Sequence, residues 1–169
     1  LIFCPQRTFS NYFENFLLRN FYVEFINSTD VVKSYSNRIH KHRFKITKKD
    51  LNVYNDNKYI IFILYKNSRL WIKSLKKNDQ DFFDQFLLYF KIKISRDDIY
   101  SLKNYHKNWY QKWLGVTKNF KNIEFINHKQ TLRYKDNVSL FKYLRNKYNL
   151  IDKGKIKIPK KVRRSDKFN

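Results

Sequence analysis

The side chains with the most obvious capacity for chemistry are two groups of carboxylates. Asp79, Asp81 and Asp84 fall close together, and Asp97 and Asp98 are adjacent; paired acids of this kind hold divalent ions in metal-dependent nucleases. Both groups open segments with helical periodicity, where acidic side chains cap free N–H groups and face the positive end of the helix dipole. Capping accounts for them without catalysis. His40 and His42 stand two apart, on one face of a strand, but no Cys, Asp or Glu beside them completes a ligand set. The single cysteine, Cys4, forms no internal disulfide and no thiolate zinc site, and it fits a reducing compartment. The sequence holds no phosphate-binding glycine loop, nucleophile elbow, HExxH or GxGxxG string. The reading is therefore of a protein that is not an enzyme and uses no metal or other cofactor, with no small-molecule substrate expected.

What the chain has in excess is positive charge and aromatic rings. Its 169 residues carry 37 Lys and Arg against 14 Asp and Glu, a formal net charge of +23, and 19% of residues are Phe, Tyr or Trp. A chain this basic repels itself unless a polyanion accompanies it. Nucleic acid offers phosphates for the cations and bases for the rings; an anionic membrane surface would satisfy the charge alone.

The cations cluster in three places. Arg38, His40, Lys41, His42, Arg43, Lys45, Lys48 and Lys49 alternate with apolar residues, as in a strand with one face on phosphate. Lys107 and Lys112 flank a stripe of Tyr105, Trp109 and Trp113, whose spacing of four places the rings on one helical face and favours burial in the core. The last stretch carries Lys153, Lys155, Lys157, Lys160, Lys161, Arg163, Arg164 and Lys167 against one acid, Asp166. Gly154 and Pro159 interrupt regular structure there. Residues 153–169 thus read as a basic RNA-binding tail, disordered in isolation, with Ile156, Ile158 and Val162 turned inward once bound.

The elements that must position these groups follow from periodicity. Phe9, Phe13, Phe16 and Leu17 recur at helical spacing after Thr8 and Ser10, and Phe21 to Ile26 reads as a strand. Leu51 to Tyr54, Lys58 to Tyr65 and Arg69 to Leu75 read as strands joined by short Asn-rich turns, an antiparallel meander. A helix follows from Asn78 to about Phe90, then another from a Ser95 cap to about Leu114, closed by Gly115. Ile123 to Ile126 and Thr131 to Tyr134 read as a hairpin, and Asn137 to Tyr148 as a last helix. The expected fold is α+β: an antiparallel sheet of about four to six strands with three or four helices, one domain over residues 1–152, and the basic C-terminal extension.

The longest clean apolar run, Tyr59 to Tyr65, is far short of the roughly 20 residues that span a bilayer, so no integral membrane insertion is expected. The opening Leu1-Ile2-Phe3-Cys4-Pro5 lacks the basic and long apolar regions of a signal peptide and leads into no transit-like segment.

Residue usage carries one resemblance. Alanine and methionine are absent, Gly and Pro number 2 each, and Phe, Tyr, Ile, Asn and Lys fill the chain from Leu1 to the basic run Lys153–Arg164. In this the sequence resembles the divergent reading frames of AT-rich, ciliate-like mitochondrial genomes, many of which encode ribosomal proteins. A Leu1 start fits a trimmed N-terminus or a non-standard start codon. The resemblance implies an organelle-encoded, non-catalytic constituent of the mitochondrial ribosome, with rRNA and neighbouring ribosomal proteins as partners. Two other readings stand beside it: an accessory subunit of an organellar respiratory complex on an anionic membrane, and a homing-type endonuclease using Asp81 or Asp97.

Overall fold

The tertiary structure, a computed structural model, describes residues 1–4, 8–26, 47–56, 58–77, 94–95 and 97–159. Its elements in chain order are β1 (Ile2–Phe3), α1 (Ser10–Asn20), α2 (Lys48–Asn52), β2 (Ile61–Tyr65), α3 (Ser68–Lys76), α4 (Ile99–Thr117), β3 (Ile123–Asn127), a 3-10 turn (His128–Thr131) and α5 (Tyr134–Tyr148). The three strands form one sheet in the order β1-β2-β3, and both pairings are parallel.

This corrects the expected antiparallel sheet of four to six strands. Ile61-Phe62-Ile63-Leu64 is buried on both faces, and an unbroken apolar run of that kind belongs to the centre of a parallel sheet covered on both sides. Odd-numbered Ile61 and Ile63 join Phe3, Leu51 of α2, Trp71 and Leu75 of α3, and Trp109 and Trp113 of α4. Even-numbered Phe62 and Leu64 join Ile2, Cys4, Phe13, Phe16 and Leu17 of α1, Ile126, and Leu140 and Leu144 of α5. The result is helices on both faces of a small sheet.

Two segments read as strands are helices. In α3 the Asn67 side chain accepts from the Arg69 amide at 3.0 Å, a cap that starts the helix. Trp71, Ile72 and Leu75 then face the core at helical spacing. Residues 51–54 begin as the last turn of α2, where Leu51 is buried. The expected second strand of the hairpin, Thr131 to Tyr134, is instead the end of the 3-10 turn and the start of α5, the turn being opened by reciprocal bonds between Asn127 and Gln130. Gly115 lies inside α4, which runs on to Thr117. The Phe21–Ile26 segment alternates inward and outward as a strand would, yet its bridge is a single antiparallel one, Phe21 to Asp152. Residues 27–46, 78–93 and 160–169 lie outside the described residues, and with them most of the strand expected over 38–49, the helix expected from Asn78 and the distal basic run. The end of that expected strand, Lys48 and Lys49, is instead the start of α2.

The Tyr105, Trp109, Trp113 stripe packs inward as its spacing predicts. Trp109 and Trp113 stack at 5.2 Å, and Phe3 of the edge strand meets Trp113 at 4.4 Å. On the same helix the Tyr110 hydroxyl donates to the Leu64 carbonyl of the central strand at 2.8 Å. One turn earlier the His106 ring donates through Nε2 to the Lys66 carbonyl, also at 2.8 Å.

Tyr110→Phe should therefore lower the unfolding free energy by about 1–3 kcal/mol, the cost of leaving a buried carbonyl unpaired. Urea denaturation of the two proteins measures it. His106 supplies a pH dependence. Burial holds its imidazole below the ordinary value of 6.5, opposed in part by the Lys66 carbonyl. The unfolded chain then binds the proton more readily, so this contribution is intact above pH 6.5 and is lost as pH falls below it toward the lowered folded value. Melting temperatures taken between pH 7.5 and 5.5 should drop more for the wild type than for His106→Gln.

Candidate nucleic-acid interface

The apolar stripe of α1 is Phe13, Phe16 and Leu17, and the next position on that face is a polar residue, Asn20, only 2% exposed. A buried amide needs partners for both its donors and its acceptor. Asn20 finds them along the C-terminal segment. Its Nδ2 donates to Phe16 O at 2.7 Å and to Lys157 O at 2.8 Å, and its Oδ1 accepts from the Lys157 amide at 2.7 Å. Its own carbonyl accepts from the Lys153 amide at 2.8 Å. One residue thus fixes both ends of the stretch 153–157 against the end of α1.

The path between those ends is set locally. Asn149 closes α5 in the left-handed conformation, at φ 50°, and turns the chain back. The Tyr22 amide then donates to Ile151 O at 3.0 Å. Asp152 accepts from the Gly154 amide at 3.0 Å and from Arg145 at 3.3 Å. Gly154 sits at φ +86°, a backbone conformation that side chains disfavour. Ile156 packs against the α1–α5 core cluster and Pro159 is buried, so Lys155 and Lys157 point outward. The expected alternation of outward cations and inward isoleucines is present, but over 153–159 it is tied to the body by these bonds.

The surface so formed is basic and carries one open ring. Arg19 in the last turn of α1 and Lys153, Lys155 and Lys157 are all exposed. The Lys153 ammonium donates to Leu18 O at 2.9 Å, closing the carbonyl end of α1. It also lies 4.9 Å from the centre of the Tyr22 ring. Phe21 is buried and stacked on Phe141 at 4.9 Å, so its neighbour Tyr22 faces outward, 67% exposed. Glu24, two residues on, is also exposed.

The other described cations read from the sequence do not join this surface. Lys48 and Lys49 are exposed on α2, Lys107 is exposed on α4, and Lys112 is half-buried there. Both helices cover the opposite face of the sheet. Arg38, His40, Lys41, His42, Arg43, Lys45, Lys160, Lys161, Arg163, Arg164 and Lys167 lie outside the described residues. Arg19, Asn20 and Tyr22 were not among the sequence-derived candidates. The signal for Asn20 was present, a lone amide at the next position of an apolar helical stripe.

Of the carboxylates weighed for catalysis, Asp98 caps α4 through Ser101, whose amide and hydroxyl bonds hold the acid below its ordinary pKa. Asp97 pairs with Lys76 at 3.5 Å. Asp79, Asp81 and Asp84 lie outside the described residues, among which no three His, Cys, Asp or Glu side chains gather as a metal site. A groove between the end of α4 and β3 is lined by Leu114, Phe120, Ile123 and Phe125, with Lys118 as its one charged side chain.

Comparison with protein-family profiles, with curated proteins and with solved structures finds no match to this chain.

Asn20→Ala should release the 153–159 stretch while leaving the sheet intact. Trypsin should then cut at Lys153, Lys155 and Lys157 faster, and the Lys157 amide should lose its protection from hydrogen exchange. A cost of about 1–3 kcal/mol accompanies the orphaned backbone groups.

Proposed function

We propose that this protein is a non-catalytic, rRNA-binding constituent of a mitochondrial ribosome. The observation that carries the reading is the anchored C-terminal segment, in which Lys153, Lys155 and Lys157 are presented on a fixed backbone beside Arg19 and Tyr22. Phosphate binding needs cations held where their own carboxylates do not neutralise them, and pre-ordering them lowers the entropy lost on binding. The segment leads directly into Lys160, Lys161, Arg163 and Arg164, which extend the same charge along the chain. The organellar and ribosomal assignment rests on the residue usage that resembles AT-rich mitochondrial reading frames.

No helix among the described residues is long and apolar enough to cross a membrane. Attachment to an anionic lipid surface would rest on the same cations and is separated by experiment. Extracts made in low salt should show the protein sedimenting with ribosomal particles and leaving them after ribonuclease; sedimentation with membranes, indifferent to ribonuclease, would sink the proposal. Binding to rRNA fragments should weaken steeply with salt. Replacing Lys153, Lys155 and Lys157 by Gln should flatten the slope of log K against log salt by about 2, since each phosphate contact contributes roughly 0.7–0.9.

A further inference from the structure

Tyr22 is an aromatic ring placed where folding gives it nothing to do. Its neighbours Phe21 and Val23 turn into the core, while its own ring projects from the surface and remains 67% exposed. Its backbone is fixed on both sides of the ring: Phe21 is buried against Phe141, and the Tyr22 amide is bonded to Ile151 O. The Lys153 ammonium lies over one face, 4.9 Å from the ring centre, and is itself tied to Leu18 O. An ammonium over a ring is attracted to its negative face and restrains it. What results is a restrained ring, mostly open to solvent, with the Lys153 ammonium over one face.

We infer that Tyr22 is a stacking platform for an unpaired RNA base, and that this surface therefore selects single-stranded over double-helical RNA. The inference rests on the RNA-binding reading above and adds the class of RNA. Bases in a duplex are stacked on each other and present no free face, whereas an unpaired base in a loop or bulge can lie on an exposed ring while cations take its flanking phosphates. The Lys153 ammonium then serves twice, holding the ring from beneath and standing within reach of the phosphate of the stacked nucleotide.

The test uses the full chain and two fluorescein-labelled RNAs, a single strand of about ten nucleotides and the duplex of the same sequence, followed by fluorescence anisotropy. The wild type should bind the single strand more tightly. Tyr22→Ala should weaken single-strand binding by at least about fivefold, the lower end of what one stacked base contributes, with duplex binding unchanged. Tyr22→Phe should keep the preference, and Tyr22→Leu, apolar but without a π face, should lose it. Equal loss on both RNAs, no loss on either, or full retention by Tyr22→Leu would overturn the stacking role while leaving RNA binding in place. If the wild type binds neither RNA, both this inference and the RNA-binding reading fail. Because the Tyr22 side chain is exposed and its backbone bond survives substitution, all three variants should melt within a few degrees of the wild type, which a thermal scan verifies.

Discussion

Strand β2 is hydrogen-bonded along both edges and apolar on both faces, and every other element takes its place from that double requirement. Even-numbered residues bond toward β1 and odd-numbered ones toward β3, as the Phe62 amide to Leu1 O and the Ile61 amide to Asn122 O illustrate. Side-chain alternation then sends Ile61 and Ile63 into the layer of α2, α3 and α4, and Phe62 and Leu64 into the layer of α1 and α5. Full burial of such residues contributes roughly 1.5–3 kcal/mol each. Four of them together approach the whole net stability of a domain, about 5–15 kcal/mol. A polar substitution at Ile61 or Ile63 would therefore enter one layer and at Phe62 or Leu64 the other, while the backbone of β2 pairs with both β1 and β3.

A sheet of three short strands leaves its edges and helix ends to be secured by side chains, and the chain does this with a few well-placed polar groups. Tyr110 donates to the Leu64 carbonyl and ties α4 to the central strand. Asn122 donates to the carbonyls of Tyr54 and Tyr59, pinning the loop before β2 to the start of β3. Glu124 on β3 accepts from Lys147 at 2.6 Å, Tyr148 at 2.8 Å and Tyr143 at 2.9 Å, which fixes the second half of α5 to the sheet. The same ion pair holds the Lys147 ammonium well above its ordinary pKa. Asn20 belongs to this group, and its position links the fold to the candidate interface. The contact that completes the end of α1 is also the one that orders the basic segment.

The parts of this architecture legible in the sequence were those written in helical periodicity. The stripes of α1 and α4 and the body of α5 lie where their spacing predicts, and the rings of Tyr105, Trp109 and Trp113 are core. The segments Lys58–Tyr65 and Ile123–Ile126 were read as strands and contain or overlap β2 and β3; what was misread is the kind of sheet they form, for a physical reason. A period of two identifies a sheet with one wet face, whereas β2 is dry on both faces and so shows no alternation. Next to it, Arg69 to Leu75 has enough bulky apolar residues to resemble a strand, and what decides for helix is the Asn67 cap and the i, i+4 pairing of Trp71 with Leu75. Pairing direction was misread because the Asn-rich connections look like hairpin turns, although Asn67 caps α3, a helix on the path from β2 to its parallel neighbour β3. For the interface, charge was legible and geometry was not. The sequence marks Lys153, Lys155 and Lys157 as cations, but only the long-range bonds of Asn20 bring them beside Arg19 and Tyr22.

The charge imbalance takes on a sharper meaning once the carboxylates are located. Among the described residues, Asp56 bonds the Lys58 amide, Asp98 caps α4, Asp136 bonds Arg133 at the start of α5, and Asp152 holds Gly154 and Arg145. Glu124 clamps α5, and Asp97 pairs with Lys76. These acids serve the fold locally, closing turns, helix ends and element contacts, and each is committed to a named partner. None of the ion pairs among the described residues involves Arg19, Lys155 or Lys157, and Glu24 is the exposed acid near them in the chain; the fields of these cations add over the surface. Exposed like charges held at fixed spacing on a rigid backbone cannot relax apart as they would on a flexible chain. Their mutual repulsion is relieved by anions brought from outside, and a polyanion that places several phosphates along the segment relieves it best, since it loses its own condensed counterions in the same step. The acids named above thus serve turns, helix ends and element contacts, while Lys155 and Lys157 stand exposed outside their ion pairs.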